Sequence, residues 1–381
     1  MRSVFKIGAP VVAAALALSA CGGTSGGGSG SAGGGGKACD LKIGFFGALT
    51  GDAANLGINI KNGAELAVNQ YNEKHSDCKV TLVSFDSQGD PAIAPGLAQK
   101  AVTDKKLVGI VGPAFSGESK AADPIFDKAG LNIITASATN PALAENGWKT
   151  FHRILGNDAT QGPAAAKYMK DVLKAQKVFV SDDTSEYGKG LADIVKKDLG
   201  SLVVGTDETA ADGKQDDFSP TVTKAKASGA TAFFYGGYYS NASKLVKQLK
   251  DGGFTGTFVA ADGVKDDGFI KGAGQAAEGA ILTCPCLPPD KAPDFAAAYK
   301  KAYNSDPATY SAEAFDAANV FLDGIAAGKT SSSDMNSFIA SYDKQGVTKK
   351  VKFDSKGEPA EVSVWAYKVT GGKIVPDQEI K

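Results

Sequence analysis

Hydroxyl, acidic and aromatic residues follow the predicted strands of this chain, in loops that lead into the next helix. Ser116 and Thr139 follow two strands in the first half, and Tyr187, Tyr238 and Asp262 follow three strands in the second half. Hydroxyls at helix N-termini suit a carboxylate, a single acid suits an ammonium, and tyrosines supply apolar walls with a polar tip. Each residue also has an ordinary structural interpretation, as a helix N-cap, a turn or a packing side chain. Their shared placement predicts a binding site for a free amino acid.

Strand and helix patterns alternate along the chain. Continuous apolar runs such as Leu41–Phe46 and Leu107–Val111 predict strands covered by helices on both faces, which is typical of parallel sheets. Two such series are separated by Gly156–Gly162, which we predict to be irregular. The tail, with predicted strands Val351–Phe353 and Val362–Val369, could complete either sheet. The sequence therefore predicts an α/β fold with two doubly wound lobes, and ligands bind such sheets beyond the carboxyl ends of their strands.

The first 39 residues differ in composition from the rest. A basic start precedes an apolar run that is too short to span a bilayer and ends in Leu18-Ser19-Ala20-Cys21. This order resembles the lipobox of bacterial lipoproteins, in which the cysteine is diacylated and becomes the new N-terminus. The following segment is almost entirely Gly and Ser, which is typical of a flexible tether. We therefore expect residues 1–20 to be a lipoprotein signal peptide, and residues 21–39 to hold the lipidated Cys21 and a tether.

Composition argues against several other classes of protein. Charged residues make up 22% of the chain and the net charge is -1, so no electrostatic footprint indicates nucleic acid. No later segment is apolar over the roughly eighteen residues that a spanning helix needs, and we expect membrane attachment through Cys21 only. His75 and His152 are the two histidines, too few for a metal site at suitable spacing. We expect no metal and no cofactor.

The cysteine count suggests disulfides. The chain has five cysteines, and without Cys21 an even number remains, as is common in exported proteins. Cys39 and Cys78 each lie just before a predicted strand, and neighbouring parallel strands start side by side, so we expect these two to pair. Cys284 and Cys286 then either pair with each other or stay reduced.

Four short runs of the chain carry a specific pattern. They are Gly47-Ala48-Leu49-Thr50-Gly51, Asp158-Ala159-Thr160-Gln161-Gly162-Pro163, Tyr187-Gly188-Lys189-Gly190-Leu191 and Tyr235-Gly236-Gly237-Tyr238. Together they resemble the type I periplasmic-binding-protein family, in its leucine/isoleucine/valine-binding branch that serves ATP-driven importers. The similarity runs from about Asp40 to the C-terminus. It implies two lobes joined by a multi-strand hinge, with lobe 1 formed by residues 40–157 and 285–361 and lobe 2 by residues 158–284 and 362–381.

The resemblance also implies roles for particular residues. Ser116 and Thr139 would bind the ligand carboxylate, with backbone N–H groups helping. The carbonyl of Ser137, the Thr139 hydroxyl and Asp262 would bind the ammonium. The implied set further contains two tyrosines that close the second lobe over the ligand, two residues that line its side-chain pocket and one neighbouring loop residue: Tyr187, Tyr238, Leu56, Tyr310 and Ala138.

This sequence departs from the branch pattern at several of these positions. Asp262 stands where the branch carries a glutamate, so the acid is one methylene shorter. Leu56 replaces a tyrosine and Tyr310 replaces a phenylalanine, which leaves the side-chain preference open. Gly89 and Phe115 occupy positions that form a disulfide in some relatives.

These observations predict a monomeric, lipid-anchored receptor outside the plasma membrane that captures an amino acid, Leu, Ile or Val, and delivers it to ABC permease subunits by hinge closure. A ligand-sensing lipoprotein, or a receptor of the same fold for another small amino acid or amide, is an alternative. An enzyme is disfavoured. The segment Gly324–Thr330 resembles a phosphate-binding loop, but it is one residue too short between its glycines and it ends a predicted helix instead of following a strand. No Gly-x-Ser-x-Gly motif occurs, and we expect no catalytic residues.

The lipid anchor can be tested at Cys21. We expect Cys21→Ala to release the protein into the medium or to leave an unprocessed precursor, because this residue would be the only membrane attachment. Membrane fractionation and the intact mass of the processed chain measure this, and the mass should include at least two acyl chains, since one chain anchors only marginally. Unchanged retention and processing would contradict the prediction.

Overall fold

The computed structural model describes residues 40–211, 213 and 215–381. Within this part of the chain the predicted α/β fold with two doubly wound lobes is confirmed. The predicted signal peptide, the lipidated Cys21, the tether and Cys39 lie outside the described residues. Among the helices that are described, none combines the length and the apolar character needed to cross a membrane.

The first sheet is built from the N-terminal part of the described chain. Its elements are β1 (Leu41–Gly47), α1 (Ala54–Lys74), β2 (Val80–Asp86), α2 (Ala94–Thr103), β3 (Leu107–Val111), α3 (Ser116–Ala129), β4 (Ile133–Thr135) and β5 (Phe151–Arg153). All neighbouring strands are parallel, in the order β2-β1-β3-β4-β5. Every residue of β3 is buried, as expected of a strand covered by helices on both faces.

The second sheet repeats this arrangement. Its elements are α4 (Asp158–Asp171), β6 (Val178–Asp182), α5 (Glu186–Leu199), β7 (Val203–Glu208), α6 (Ser219–Ala227), β8 (Ala232–Gly236), α7 (Tyr239–Asp251), β9 (Thr257–Ala260), α8 (Asp267–Ala273) and β10 (Ile281–Cys284). These strands are parallel, in the order β7-β6-β8-β9-β10. The sequence patterns did not predict β10, a short strand that is stabilised by its neighbours on both sides.

The tail is divided between the two sheets. It contains α9 (Pro293–Tyr303), α10 (Ser311–Ala326), α11 (Ser332–Ala340), β11 (Asp343–Gln345), β12 (Lys350–Lys352), β13 (Trp365–Thr370) and β14 (Lys373–Glu379). Helix α10 packs against α1 and β3, whereas β13 pairs antiparallel with β10 and β14 extends that sheet. We call the sheet of β1–β5 with its helices lobe 1, and the sheet of β6–β10, β13 and β14 with its helices lobe 2.

One predicted boundary is wrong. The stretch Gly156–Gly162, expected to be irregular, is helical from Asp158 onward, because α4 begins there. The side chain of Asn157 caps this helix by accepting a hydrogen bond from the Ala159 N–H at 3.0 Å. Pro163 therefore lies inside α4. Because proline has no backbone N–H, one hydrogen bond of the helix is missing, and the Asn157 cap and the packing of α4 on α5 compensate for the lost stability.

The cysteine alternatives are partly resolved. Cys284 and Cys286 are bonded to each other, with Sγ atoms 2.10 Å apart, at the end of β10 where the chain leaves lobe 2. The pairing of Cys39 with Cys78 stays a prediction, since Cys39 lies outside the described residues.

The segment that resembles a phosphate loop is a helix end. Gly324 lies within α10, and the Lys329 N–H donates to its carbonyl at 2.8 Å. Gly328 has a φ of 74°, which closes the helix in a left-handed turn.

Both sheets reverse their strand order in the same way. In lobe 1 the reversal lies between β1 and β3, and in lobe 2 between β6 and β8. At such a point the two outgoing loops turn to opposite faces of the sheet and leave a crevice at the carboxyl ends of the strands. Most of the predicted functional residues follow β3, β4, β6, β8 or β9, whereas Leu56 lies on α1 and Tyr310 directly precedes α10. The topology therefore positions most of them around these two crevices.

Candidate functional site

A cavity between the lobes collects residues from both. Its lining consists of Leu56, Ile60, Ala114, Phe115, Ser116, Ser137, Tyr187, Tyr238, Asp262, Gly263 and Tyr310. Most of the predicted ligand residues are among these. Ala138 and Thr139 are not, although both are buried directly after Ser137 in the loop that follows β4.

Some lining residues were not predicted from the sequence. Ile60 lies one helical turn after Leu56 on α1, and residues four apart share a helix face, so the helical period could have identified it. Phe115 and Gly263 adjoin predicted residues in the same loops. Gln161, which contacts Asp262 as described below, lies in one of the specific sequence runs, but nothing in the pattern indicates which way its side chain points.

The lobe 1 side of the cavity is suited to an anion. Ser116 is the first residue of α3, where backbone N–H groups lack helical partners and the helix dipole is positive. Ser116 is therefore not the N-cap that its ordinary interpretation suggested. Its Oγ accepts a hydrogen bond from the Asn140 N–H at 3.2 Å, and the Ser137 Oγ donates to the Ala114 carbonyl at 2.6 Å. These bonds tie the loops after β3 and β4 together.

A buried arginine holds the loop after β4. Arg153 on β5 is fully buried, and its Nη1 donates to the carbonyls of Ala138 at 2.7 Å and Asn140 at 2.9 Å. Its Nε donates to Glu358 at 3.1 Å, and the two side chains form an ion pair. The guanidinium has five N–H donors in a rigid, planar arrangement, so Arg153 can bind both loop carbonyls and a carboxylate at the same time.

Close packing of two helices positions Tyr310. A Cβ on Gly63 of α1 would lie 1.9 Å from the Ser311 carbonyl oxygen, so glycine permits the contact between α1 and the start of α10. Tyr310 directly precedes α10 with a φ of 68°, which is uncommon for a residue other than glycine. This geometry brings its ring to the cavity wall, together with Leu56 and Ile60 of α1.

The lobe 2 side presents a buried carboxyl group. Asp262 is 3% exposed, and its Oδ1 accepts hydrogen bonds from the Tyr187 hydroxyl at 2.7 Å and from the Gln161 Nε2 at 2.5 Å. The Gly263 N–H donates to the Tyr187 hydroxyl at 3.1 Å. Burial raises the pKa of Asp262, and the hydrogen bonds from Tyr187 and Gln161 oppose that rise. A buried carboxyl with neutral partners is suited to a cationic group.

Several buried polar atoms near Asp262 have incomplete hydrogen bonding. The Gln161 Oε1 has no hydrogen-bond partner. The Tyr310 hydroxyl lies beside Asp262 and the Thr139 hydroxyl beside Asp158, where each lowers the pKa of the carboxyl group, but neither pair has the alignment of a full hydrogen bond. Most buried polar atoms in proteins are hydrogen-bonded, so their concentration around one carboxyl indicates a place for a ligand with several donors. In the described part of the chain, no group of three or more His, Cys, Asp or Glu side chains is placed to hold a metal ion.

Aromatic rings close the outer side of the cavity. The ring centroids of Tyr187 and Tyr238 are 5.2 Å apart, and those of Phe115 and Tyr238 are 5.4 Å apart in an edge-to-face contact across the lobes. Phe115 and Tyr238 also line a larger outer cleft of about 750 Å³. They therefore separate the inner cavity from the outer cleft.

Comparison with known proteins places this architecture in a family. The family model described as periplasmic binding protein matches residues 40–373. The chain belongs to the periplasmic binding protein family. The resemblance predicted from the four sequence runs is confirmed.

Relatives and solved structures agree with this assignment. The Leu/Ile/Val-binding protein homolog 2 of Brucella abortus is 33% identical over 356 residues, which cover 90% of this chain and 91% of the relative. The substrate-binding protein of a branched-chain amino acid transporter from Streptococcus pneumoniae, solved with isoleucine, has a TM-score of 0.83 at 28% identity and covers 89% of this chain and 98% of that one. A leucine-binding protein from Thermotoga maritima has a TM-score of 0.82 at 26% identity, over 90% and 99% of the two chains.

Hydrogen bonds across the cleft hold the two lobes of this periplasmic binding protein together. On one side, Asn55 and Asn59 of α1 donate from Nδ2 to the carboxylate of Asp266, at 3.0 and 3.4 Å. On the other side, the Asn140 Nδ2 donates to the Glu186 carbonyl at 2.8 Å, and Lys120 pairs with the Glu186 carboxylate at 2.8 Å. Contacts that exist only when the lobes are together favour the closed state.

The contacts on the two sides differ in strength. The Lys120–Glu186 pair is largely exposed, and such pairs contribute little to stability. Asp266 is buried and also caps α8 by accepting from the Gly268 N–H at 2.7 Å. A buried hydrogen bond to a charged group contributes more, so of these two sides the contact between Asn55 and Asp266 contributes more.

The variant Asn55→Ala should shift the lobes toward the open state. Loss of one hydrogen bond to a charged group costs about 1.5 kcal/mol, or about tenfold in affinity, and the same factor should apply to every ligand because Asn55 does not line the cavity. Calorimetric titration of several ligands measures the affinities, and solution scattering measures the lobe separation. The control is Asn69→Ala, an exposed asparagine on the same helix, which should change neither. A loss that differs strongly among ligands would contradict this role.

Proposed function

We propose that this protein is an extracytoplasmic receptor that captures a free amino acid, a branched-chain one such as Leu, Ile or Val, and delivers it to an ABC permease by hinge closure. The proposal rests mainly on one observation: a group that attracts cations and a group that attracts anions face each other across one cavity. A buried carboxyl, Asp262, lies on the lobe 2 side, and the start of α3 with Ser116 lies on the lobe 1 side.

This opposition matches the charges of a free amino acid. The ligand carboxylate would accept hydrogen bonds from the Ser116 hydroxyl and from N–H groups at the start of α3. The ligand ammonium would donate to Asp262, with the Thr139 hydroxyl and the Ser137 carbonyl beside it. A molecule that lacks either charge would leave a buried group without its partner, and that loss is the basis of selectivity.

The remaining walls favour an aliphatic side chain. Leu56, Ile60, Ala114 and Phe115 line the lobe 1 side of the cavity, and among the described residues that line it Asp262 alone is charged. A ligand side chain with its own charge would therefore lose its hydration without a partner. The relatives named above, with leucine, isoleucine and valine in their names and isoleucine in one solved complex, support the same ligand class.

The transport role rests on the family and on the N-terminal segment. The relative from Streptococcus pneumoniae is the substrate-binding protein of a transporter. The lipobox-like run before Cys21 and the Gly/Ser segment after it support a domain that is held at the membrane by acyl chains. Closure would be a rotation of two rigid lobes about the crossings between them, stabilised by the cross-lobe contacts of Asp266 and Glu186.

The variant Asp262→Ala should nearly abolish amino-acid binding. Removing one partner of a buried charge pair costs roughly 2–5 kcal/mol, about 30-fold to several thousand-fold in affinity, because the ligand ammonium would remain buried and poorly compensated. Titration calorimetry with leucine, isoleucine and valine measures the loss. Asp262→Glu should be tolerated better, since it keeps the charge.

A matched control separates the role of Asp262 from a general effect of charge. Asp267→Ala removes an exposed acid a few residues later, which lies outside the cavity lining, and it should bind like the parent. An Asp262→Ala protein that binds its amino acid within threefold of the parent would refute the assigned role. A parent protein that binds none of the twenty amino acids would refute the proposed function itself.

A further inference from the structure

Two residues of the inner cavity also line the outer cleft. They are Phe115, just before α3 in lobe 1, and Tyr238, just before α7 in lobe 2. Their ring centroids are 5.4 Å apart in an edge-to-face contact, an arrangement that aromatic rings favour. These two rings are therefore the wall that divides the inner cavity from the outer cleft.

Other apolar walls of the inner cavity have packed protein behind them. Leu56 and Ile60 lie on α1, are 4% and 1% exposed and belong to the hydrophobic core, and α1 packs against α10. A close-packed interior yields little to an added group. Phe115 differs because the outer cleft, with a volume of about 750 Å³, lies on its far side. A longer ligand side chain therefore finds open space in the direction of Phe115.

The outer cleft is acidic. Four acids and one lysine line it: Asp52, Asp90, Asp183, Glu186 and Lys120. The lysine pairs with Glu186 at 2.8 Å, so among the described residues of this lining no cation is left for the other three acids. Acids that line a cleft attract cations and repel anions. A ligand side chain that reached the cleft would therefore be favoured if it ended in a positive charge.

We propose that Phe115 determines the range of ligands: its ring, in contact with Tyr238, confines the ligand side chain to the inner cavity and excludes lysine and arginine, whose charged ends would otherwise reach the acidic cleft. This inference rests on the proposed function, because it takes the ligand carboxylate to lie at Ser116 and the ammonium at Asp262. With both of these groups fixed, ligands differ only in the side chain that lies against the remaining walls.

The wall between the cavities forms when the lobes close. Phe115 belongs to lobe 1 and Tyr238 to lobe 2, so their contact exists only while the lobes are together. A long side chain that kept the two rings apart would also keep the lobes apart, and the complex would lose the cross-lobe contacts that favour the closed state. A ligand that is too long is therefore rejected because the lobes do not close on it.

The test is calorimetric titration of the intact, processed protein and of Phe115→Ala with leucine, arginine and citrulline. Citrulline has nearly the size of arginine but an uncharged side chain, so this pair separates charge from length. The wild-type protein should bind leucine and neither of the longer ligands. Phe115→Ala should bind leucine about tenfold more weakly, because the ligand loses apolar contact, and should bind arginine more tightly than citrulline. Added salt should reduce that preference.

Tyr238→Ala opens the same wall from the other lobe. Phe115 adjoins Ser116 and is buried, so this second variant removes the ring contact without changing the loop that binds the ligand carboxylate. Tyr238 is only partly buried, and its truncation should leave the fold intact, which thermal melting checks. Tyr238→Ala should also bind arginine in preference to citrulline.

Leu56→Ala is the matched control. Leu56 is a buried apolar residue of the same cavity, but it does not line the outer cleft. Its truncation enlarges the cavity on the side of the packed core. It should therefore weaken leucine binding without admitting arginine.

The outcomes separate this inference from the proposed function. Arginine binding to the wild-type protein, or to neither Phe115→Ala nor Tyr238→Ala, overturns the role of Phe115 and leaves the receptor function standing. Equal binding of arginine and citrulline by these variants overturns it as well, and so does arginine binding by Leu56→Ala, because any enlargement would then suffice. If no amino acid binds the wild-type protein, the proposed function fails and the inference fails with it.

Discussion

The burial of the Asp262 carboxyl between two lobes is the interaction on which the rest of this site depends. Its hydrogen bonds come from neutral groups, the Tyr187 hydroxyl and the Gln161 amide, so its charge is solvated but not neutralised. Separation of the lobes would return the group to water, whereas closure without a cation keeps it dehydrated. Closure is therefore favourable when a ligand provides the positive charge, and a two-lobed receptor needs this coupling to distinguish the loaded state from the empty one.

The surrounding structure holds this carboxyl and its counterpart in place. The Arg153 guanidinium binds two carbonyls of the loop after β4, and Gly63 allows the close contact of α1 with the start of α10. These supports belong to lobe 1 and to the tail, far from Asp262 along the chain. The cross-lobe contacts of Asp266 and Glu186 add a modest preference for closure, which leaves the ligand to decide the equilibrium.

The differences between prediction and structure have physical causes. The stretch Gly156–Gly162, predicted to be irregular, is helical from Asp158 because the Asn157 side chain caps α4 there. Strand β10 was missed because four residues are too few for a period to show, and its stability comes from strands β9 and β13 on either side.

The sequence by itself determined the alternation of buried strands and helices, the two-lobed α/β class and the loops that carry the functional side chains. Each of these follows from local patterns, since apolar runs mark strands covered on both faces and the loops after them hold the polar residues. Only the tertiary structure decided which sheet the tail completes, that Gln161 bonds to Asp262, and that Arg153 holds the carbonyls of the loop after β4. Those features depend on groups distant in sequence that meet through packing, and a side chain's burial and hydrogen bonds are properties of its neighbours in space.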